Sequence, residues 1–82
     1  MDERIGAVLI VVEQKDEIAR LNQVISNHSD IIIGRQGIPL KDRGKSVISL
    51  VLEGNTDRLG SLTGQLGQIP GMQVKSIVIK NS

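Results

Sequence analysis

Eight apolar or small residues stand unbroken near the start of the chain: Ile5-Gly6-Ala7-Val8-Leu9-Ile10-Val11-Val12. A strand with one wet face alternates apolar and polar side chains. An unbroken run rich in β-branched residues therefore marks a strand covered on both sides. Val47-Ile48-Ser49-Leu50-Val51-Leu52 repeats the signal. Only two segments of the chain carry helical periodicity, and two helices cover one face of a sheet. The other face needs its own cover, and a second copy of the chain is the simplest. The pattern predicts a homo-oligomer, a dimer or a tetramer, joined through the open sheet face.

Length agrees with that need. The 82 residues make one small domain, 1–82, in a size range where a single core leaves little surplus stability. Net charge is +1, so no bulk field draws the protein to nucleic acid or an anionic membrane. There is no Cys, which excludes disulfides, thiolate metal sites and thiol nucleophiles. Phe, Tyr and Trp are absent too, which removes the stacking platform used to hold single-stranded nucleic acid. The core must be aliphatic. The Ile5–Val12 run is too short to cross a membrane and leads into Glu13-Gln14-Lys15-Asp16-Glu17, unlike a secretory signal, so a cytoplasmic location is expected.

Ile18, Leu21, Val24, Ile25 and His28 fall on one helical side, and Asp16 and Glu17 suit the positive end of a helix dipole. The spacing predicts a first helix from about Lys15 to His28. Asp30 to Ile38 reads as a β-branched strand stopped by Pro39, followed by a polar turn from Leu40 to Lys45 and a strand from Ser46 to Glu53. Gly54-Asn55-Thr56 predicts a break with a capping residue, Asp57 just behind it. Leu59, Leu62 and Leu66 mark a second helix ending near Gly67, and Ile69-Pro70-Gly71 turns into a last strand, Met72–Lys80. The order is βαββαβ, with weakly echoing halves. Two right-handed βαβ units give an α+β, ferredoxin-like fold: a four-stranded antiparallel sheet with two helices on one face. Its central strands are the first and third, the two with unbroken apolar runs.

Gly60, Gly64 and Gly67 share one side of the second helix, away from the leucines. Interior helix glycines cost about 0.5–1 kcal/mol each against Ala, so close approach is what they offer. They suit contact with the first helix, Gly67 serving as a C-terminal cap, or contact with a ligand or subunit. The single His28 has no second His or Cys with which to bind zinc or act as a base, and Asp30 alone makes a weak partner. A histidine satisfied by the carbonyls at its helix end, or at a core edge, fits better. No metal site within one chain is expected, although symmetry could bring copies of His28 together.

Gly34-Arg35-Gln36-Gly37-Ile38-Pro39, followed by Lys41, Arg43 and Lys45, is the most distinctive polar stretch. A guanidinium flanked by glycines can take a carboxylate or phosphate bidentately. The same features suit an edge strand, where glycines mark bulges and basic residues discourage aggregation. The stretch lacks the Gly-Lys-Ser/Thr ending of a phosphate loop. The candidate ligand-binding residues are Arg35, Gly34, Gly37, Lys41 and Arg43. Glu13 and Glu53 stand at strand ends on neighbouring strands and resemble a catalytic pair, but no nucleophile elbow or nucleotide fingerprint accompanies them. No enzyme is expected.

Val11-Val12-Glu13, Ile33-Gly34-Arg35 through Gly37-Ile38-Pro39, and Leu62-Thr63-Gly64-Gln65-Leu66-Gly67-Gln68-Ile69-Pro70-Gly71 with Val74-Lys75 carry a resemblance. Over nearly its whole length the chain resembles a family of small bacterial proteins named iron-only hydrogenase system regulators. The resemblance implies an ACT-like fold, similar to the C-terminal domain of nickel-responsive regulators, and a part in hydrogenase expression or maturation. Nickel-responsive domains ligate through histidines and a cysteine, which one His and no Cys do not supply. Classical ACT domains often bind an amino acid near a glycine after the first strand, where this chain has Glu13-Gln14-Lys15.

Together these readings give an oligomeric ACT-like module that senses a ligand, a small anionic effector, or one that only assembles with a partner protein. The cofactor is left open. Direct DNA binding is not expected, for no helix-turn-helix, ribbon-helix-helix arm or basic stripe is present.

Overall fold

In the computed structural model, which describes residues 3–80, the chain forms β1 (Glu3–Val12), α1 (Ile18–Asn27), β2 (Ile32–Leu40), β3 (Lys45–Asn55), α2 (Thr56–Gly67) and β4 (Met72–Ile79). The strands form one antiparallel sheet in the order β2-β3-β1-β4, so the two apolar runs are central, as their pattern requires. Both helices lie on one side. This is the α+β ferredoxin-like arrangement.

The core is the layer between helices and sheet. Val8, Ile10 and Val12 of β1 and Ile48, Leu50 and Leu52 of β3 point into it. Leu21, Val24 and Ile25 of α1 and Leu59, Leu62 and Leu66 of α2 close it from above, with Ile31 and Ile69 at its ends. The residues between them on the same strands face the other way. Leu9 is 49% and Val51 43% exposed, and Ile5, Ile38, Ile77 and Ile79 join them on the uncovered side. One face of the sheet is closed and the other is an apolar surface.

Several boundaries differ from the sequence pattern for identifiable reasons. Lys15–Glu17 form a 3-10 turn rather than α-helix, for Gln14 precedes them in extended backbone and its side chain caps nothing. Asp30 lies in a second such turn, Ser29–Ile31, closed by the Ile31 N–H donating to the His28 carbonyl at 3.1 Å. The strand therefore begins at Ile32. It also runs through Pro39, which pairs opposite Ser46 instead of stopping it. At a sheet edge only alternate N–H groups enter the ladder, so a residue without one is tolerated. β3 likewise continues through Gly54, where the sequence suggests a break. A Cβ on Gly54 would stand 2.6 Å from Ile31 Cγ2, so the glycine makes room for a core side chain. Asn55 is the cap, its Oδ1 accepting from the Arg58 N–H at 2.8 Å.

Gly71 has φ +76° and lies against Gln14, and its carbonyl accepts from the N–H groups of Glu13 and Gln14 at 2.9 and 3.1 Å. That contact fastens the β1–α1 turn to the turn before β4. Gly67 is an ordinary helical residue and not a left-handed cap, since positive φ among the described residues occurs only at Gly44 and Gly71.

Candidate functional site

Register decides which candidate residues meet. Arg35 pairs opposite Leu50 and so lies on the helix side of β2. There it borders a cleft of about 290 Å³ between α1 and the β2 edge, with Ile18, Leu21 and Ile48 as apolar wall and Asn22 at the rim. Gly37, opposite Ile48, faces the same cleft, and a Cβ there would touch nothing within 4 Å. The Arg35 guanidinium donates to Asn22 Oδ1 at 3.4 Å. That is a long bond. It is the only polar side-chain contact of Arg35 among the described residues, so most of its five donors stay available.

The other candidates lie elsewhere. Gly34 pairs opposite Val51 and belongs to the open face, so it does not share the space around the Arg35 guanidinium. Lys41 and Arg43 sit in a 3-10 turn beyond the end of β2, which closes on Gly44 at φ +63°. They line a separate shallow depression with Pro39, Leu40 and Asp42. Pro39 borders both hollows. The structure thus brings Arg35 and Gly37 together and keeps Gly34, Lys41 and Arg43 apart from them.

His28 is 2% exposed, and both ring nitrogens are occupied. Nδ1 donates to the Val24 carbonyl at 2.8 Å, and Nε2 lies 2.9 Å from Ser61 Oγ, which also accepts from Gln65 Nε2. The ring joins α1 to α2 through polar contacts inside an aliphatic core. Glu13 and Glu53 do not form a pair. β1 and β3 run antiparallel, Glu53 lies opposite Ile5, and Glu13 follows Val12 at the far end. Eight residues separate the two positions, about 27 Å along a strand. Glu13 instead accepts from Gln73 Nε2 at 3.1 Å and Lys45 Nζ at 3.2 Å, contacts that hold its carboxyl below the ordinary value of 4.5, Gln73 first. The Arg58 guanidinium likewise lowers the Asp30 carboxyl, and the same side chain donates to the Asn27 carbonyl at 3.0 Å. This clasp ties the end of α1 to the start of α2.

Gly60, Gly64 and Gly67 do not pack on α1. A Cβ at any of them would meet nothing within 4 Å, so contact between the helices does not explain their side of α2. Gly60 borders a second cleft, between α2 and β4. Among the described residues no three His, Cys, Asp or Glu side chains are grouped to hold a metal ion, and no helix is long and apolar enough to cross a membrane.

Sequence pattern missed the residues that give Arg35 and His28 their settings. Asn22 follows Leu21 on the margin of the apolar side of α1, the position from which a polar side chain reaches a sheet edge. Ser61 stands beside Leu62, one residue off the leucine stripe. Both signals are visible only once the two layers are stacked.

Comparison with known proteins bears on this geometry. The model of the TM1266-like family, described as an iron-only hydrogenase system regulator, matches residues 4–76. The chain belongs to this family. TM1266 of Thermotoga maritima, an uncharacterized protein of known structure, is 34% identical to the TM1266-like chain over 95% of it and 99% of its own chain, with a TM-score of 0.88. The ACT domain from the GTP pyrophosphokinase of Chlorobium tepidum is 23% identical, covering 92% and 99% of the two chains, with a TM-score of 0.73. The C-terminal domain of the MgtC protein from Mycobacterium tuberculosis is 16% identical, covering 98% and 92%, with a TM-score of 0.69. The last two share the fold, which is ACT-like. No curated protein sequence matches the chain.

Proposed function

We propose that this TM1266-like chain is an oligomeric, non-catalytic sensing module of an iron-only hydrogenase system, and that its effector is a small anion with an apolar portion. The regulatory part rests on the family and on the ACT-like fold. The observation that carries the sensing part is Arg35, an arginine with one long hydrogen bond at the rim of an apolar cleft. A carboxylate or phosphate would take the guanidinium bidentately, while its apolar portion would rest on Ile18 and Pro39. Gly37 leaves the approach clear. Lys41, Arg43 and Gly34 play no direct part in that contact. In this reading they serve the edge and the hairpin. The module works in the cytoplasm and spans residues 1–82 as one domain.

A thermal-shift series with small carboxylates and phosphates tests the proposal. A ligand at ten times its Kd stabilises the native state by about 1.4 kcal/mol, roughly 5–10 °C for a domain of this size. Arg35→Ala should remove the shift while leaving the unliganded melting temperature nearly unchanged. Arg35→Lys should weaken it, since an ammonium lacks the planar fork. A shift that survives both substitutions refutes the cleft as the site.

The open apolar face supports a second reading, assembly without a small molecule. Leu9, Val51, Ile77 and Ile79 are exposed together on it. An apolar surface of this kind marks association. If every anion leaves melting unchanged and the protein still oligomerises, assembly alone is the better account.

A further inference from the structure

The weak echo between the two halves of the sequence has a counterpart in space. A shift of 41 residues carries Ile18 and Asn22 of α1 to Leu59 and Thr63 of α2. The same shift carries Arg35, Gly37 and Pro39 of β2 to Ser76, Val78 and Lys80 in and just after β4. The first five border the cleft that holds Arg35, and the second five border the cleft between α2 and β4. Each hollow lies between the helix of one βαβ unit and the second strand of that unit. With the strand order β2-β3-β1-β4, the two stand at opposite edges of the sheet. Their volumes are alike, about 290 and 280 Å³.

The clefts differ in where their charge lies. Ser76 takes the place of Arg35, so the second cleft has no cation at its middle. Its cations, Arg4 and Lys80, stand at one end, one step beyond the Ile5–Ile79 pair of the β1–β4 ladder. Thr56, the first residue of α2, borders that end too. No Asp or Glu lines the cleft, and Lys80 makes no hydrogen bond or ion pair with another described residue. Like charges on neighbouring strands repel, and an anion between them reverses the sign of that interaction. The middle is apolar, with Leu59 and Val78 as walls. A Cβ on Gly60 would meet nothing within 4 Å, so the glycine keeps this space clear. The Thr63 hydroxyl donates to the Leu59 carbonyl at 3.1 Å and adds little polar demand.

We propose that this cleft is a second ligand site, and that it takes a phosphate monoester bearing a compact apolar group. The dianionic phosphoryl group lies between Arg4 and Lys80, with the Thr56 hydroxyl as a further donor. The apolar group rests against Leu59, Gly60 and Val78. A carboxylate sets one charge against two cations and is the poorer fit. The site is separate from the Arg35 cleft and stands whether or not that cleft binds anything.

Phenyl phosphate, inorganic phosphate and benzoate are titrated into the protein, with amide chemical shifts as the readout. The native chain is compared with Lys80→Gln, Gly60→Leu and Arg35→Ala, and circular dichroism checks each fold. Gly60→Leu fills the cleft while replacing a poor helix former with a good one, so the helix should persist. Ser76→Leu repeats the blocking test from the strand should Gly60→Leu lose its native spectrum. The proposal expects saturable binding of phenyl phosphate, with shifts concentrated at residues 59–63 and 76–80. It should bind about tenfold or more tightly than either inorganic phosphate or benzoate. Lys80→Gln and the blocking variant should each weaken it by roughly tenfold, and Arg35→Ala by less than about twofold. Absence of saturable binding overturns the site, as does an affinity that either Lys80→Gln or the blocking variant leaves unchanged. Equal binding of inorganic phosphate or benzoate overturns the assigned chemistry. Loss on Arg35→Ala moves the ligand to the other cleft and also refutes the proposal.

Discussion

Leu50 and Val51 are neighbours on β3 with opposite fates: Leu50 is fully buried under the helices, while Val51 is 43% exposed on the far side. The same alternation runs along β1, where Val8 and Ile10 are buried and Leu9 between them is not. Both faces are aliphatic, yet one chain closes only one of them. Apolar character on the closed face maintains the fold of each copy, and on the open face it is available for association. The two should respond differently to the same kind of substitution.

The largest effect belongs to the closed face. Leu62→Ala, at a fully buried position of α2, should lower stability by about 2–5 kcal/mol, measured by urea unfolding of the native and variant chains. Gly54→Ala comes next. The added methyl meets Ile31 Cγ2 at 2.6 Å, and a core side chain has little freedom to retreat, so a loss of about 1–3 kcal/mol is expected in the same experiment. Equal tolerance at Gly54 and at the open Gly60 would contradict the account of why β3 carries a glycine there.

Acid should produce a smaller change. The carboxyls of Glu13 and Asp30 are held below their ordinary values of 4.5 and 3.8, the first chiefly by Gln73 and Lys45 and the second by Arg58. A folded-state value below the unfolded one stabilises the fold fully above those ordinary values, and the contribution disappears as pH falls through the lowered ones. Because both groups are exposed, the loss should be modest and reduced by salt. Melting followed from pH 6 to pH 2, with Asp30→Asn as the comparison, measures it: the variant should melt slightly lower near neutrality and show a flatter acid limb. The smallest effect on stability is expected from Arg35→Ala, which removes one 3.4 Å contact on the surface.

The architecture was legible because hydrophobic patterning and topology made the same demand. Unbroken runs at residues 5–12 and 47–52 required central strands, and βαββαβ connectivity makes the first and third strands central. Boundaries were less legible where tertiary context decides. Pro39 stops a strand only where its missing N–H would be needed, and although the topology makes β2 an edge, nothing in the sequence states that the free side lies at Pro39. Gly54 resembles a break until Ile31 is known to lie against it. The site was legible only in part. Arg35 stands out in sequence, and period two alone puts Gly37 on its face and Gly34 on the other, but the register shift at Ile33, invisible to that reasoning, turns this face toward the helices. Asn22 reaches Arg35 only through the stacking of α1 on β2. The glycines of α2 suggested contact with α1, and only the placement of the helix turned them outward.

The central claim is that the open face is covered by another copy of the chain. Light scattering coupled to size separation, on the native protein and on Leu9→Asp across micromolar concentrations, tests it most directly. Leu9 lies mid-strand on the open face, opposite Ser49 on β3 and Lys75 on β4 and outside the core, so the variant should fold. The account predicts an oligomer for the native chain, a smaller species for Leu9→Asp, and matching circular dichroism for the two. A native protein that is monomeric throughout, or an unchanged mass after the substitution, would contradict it.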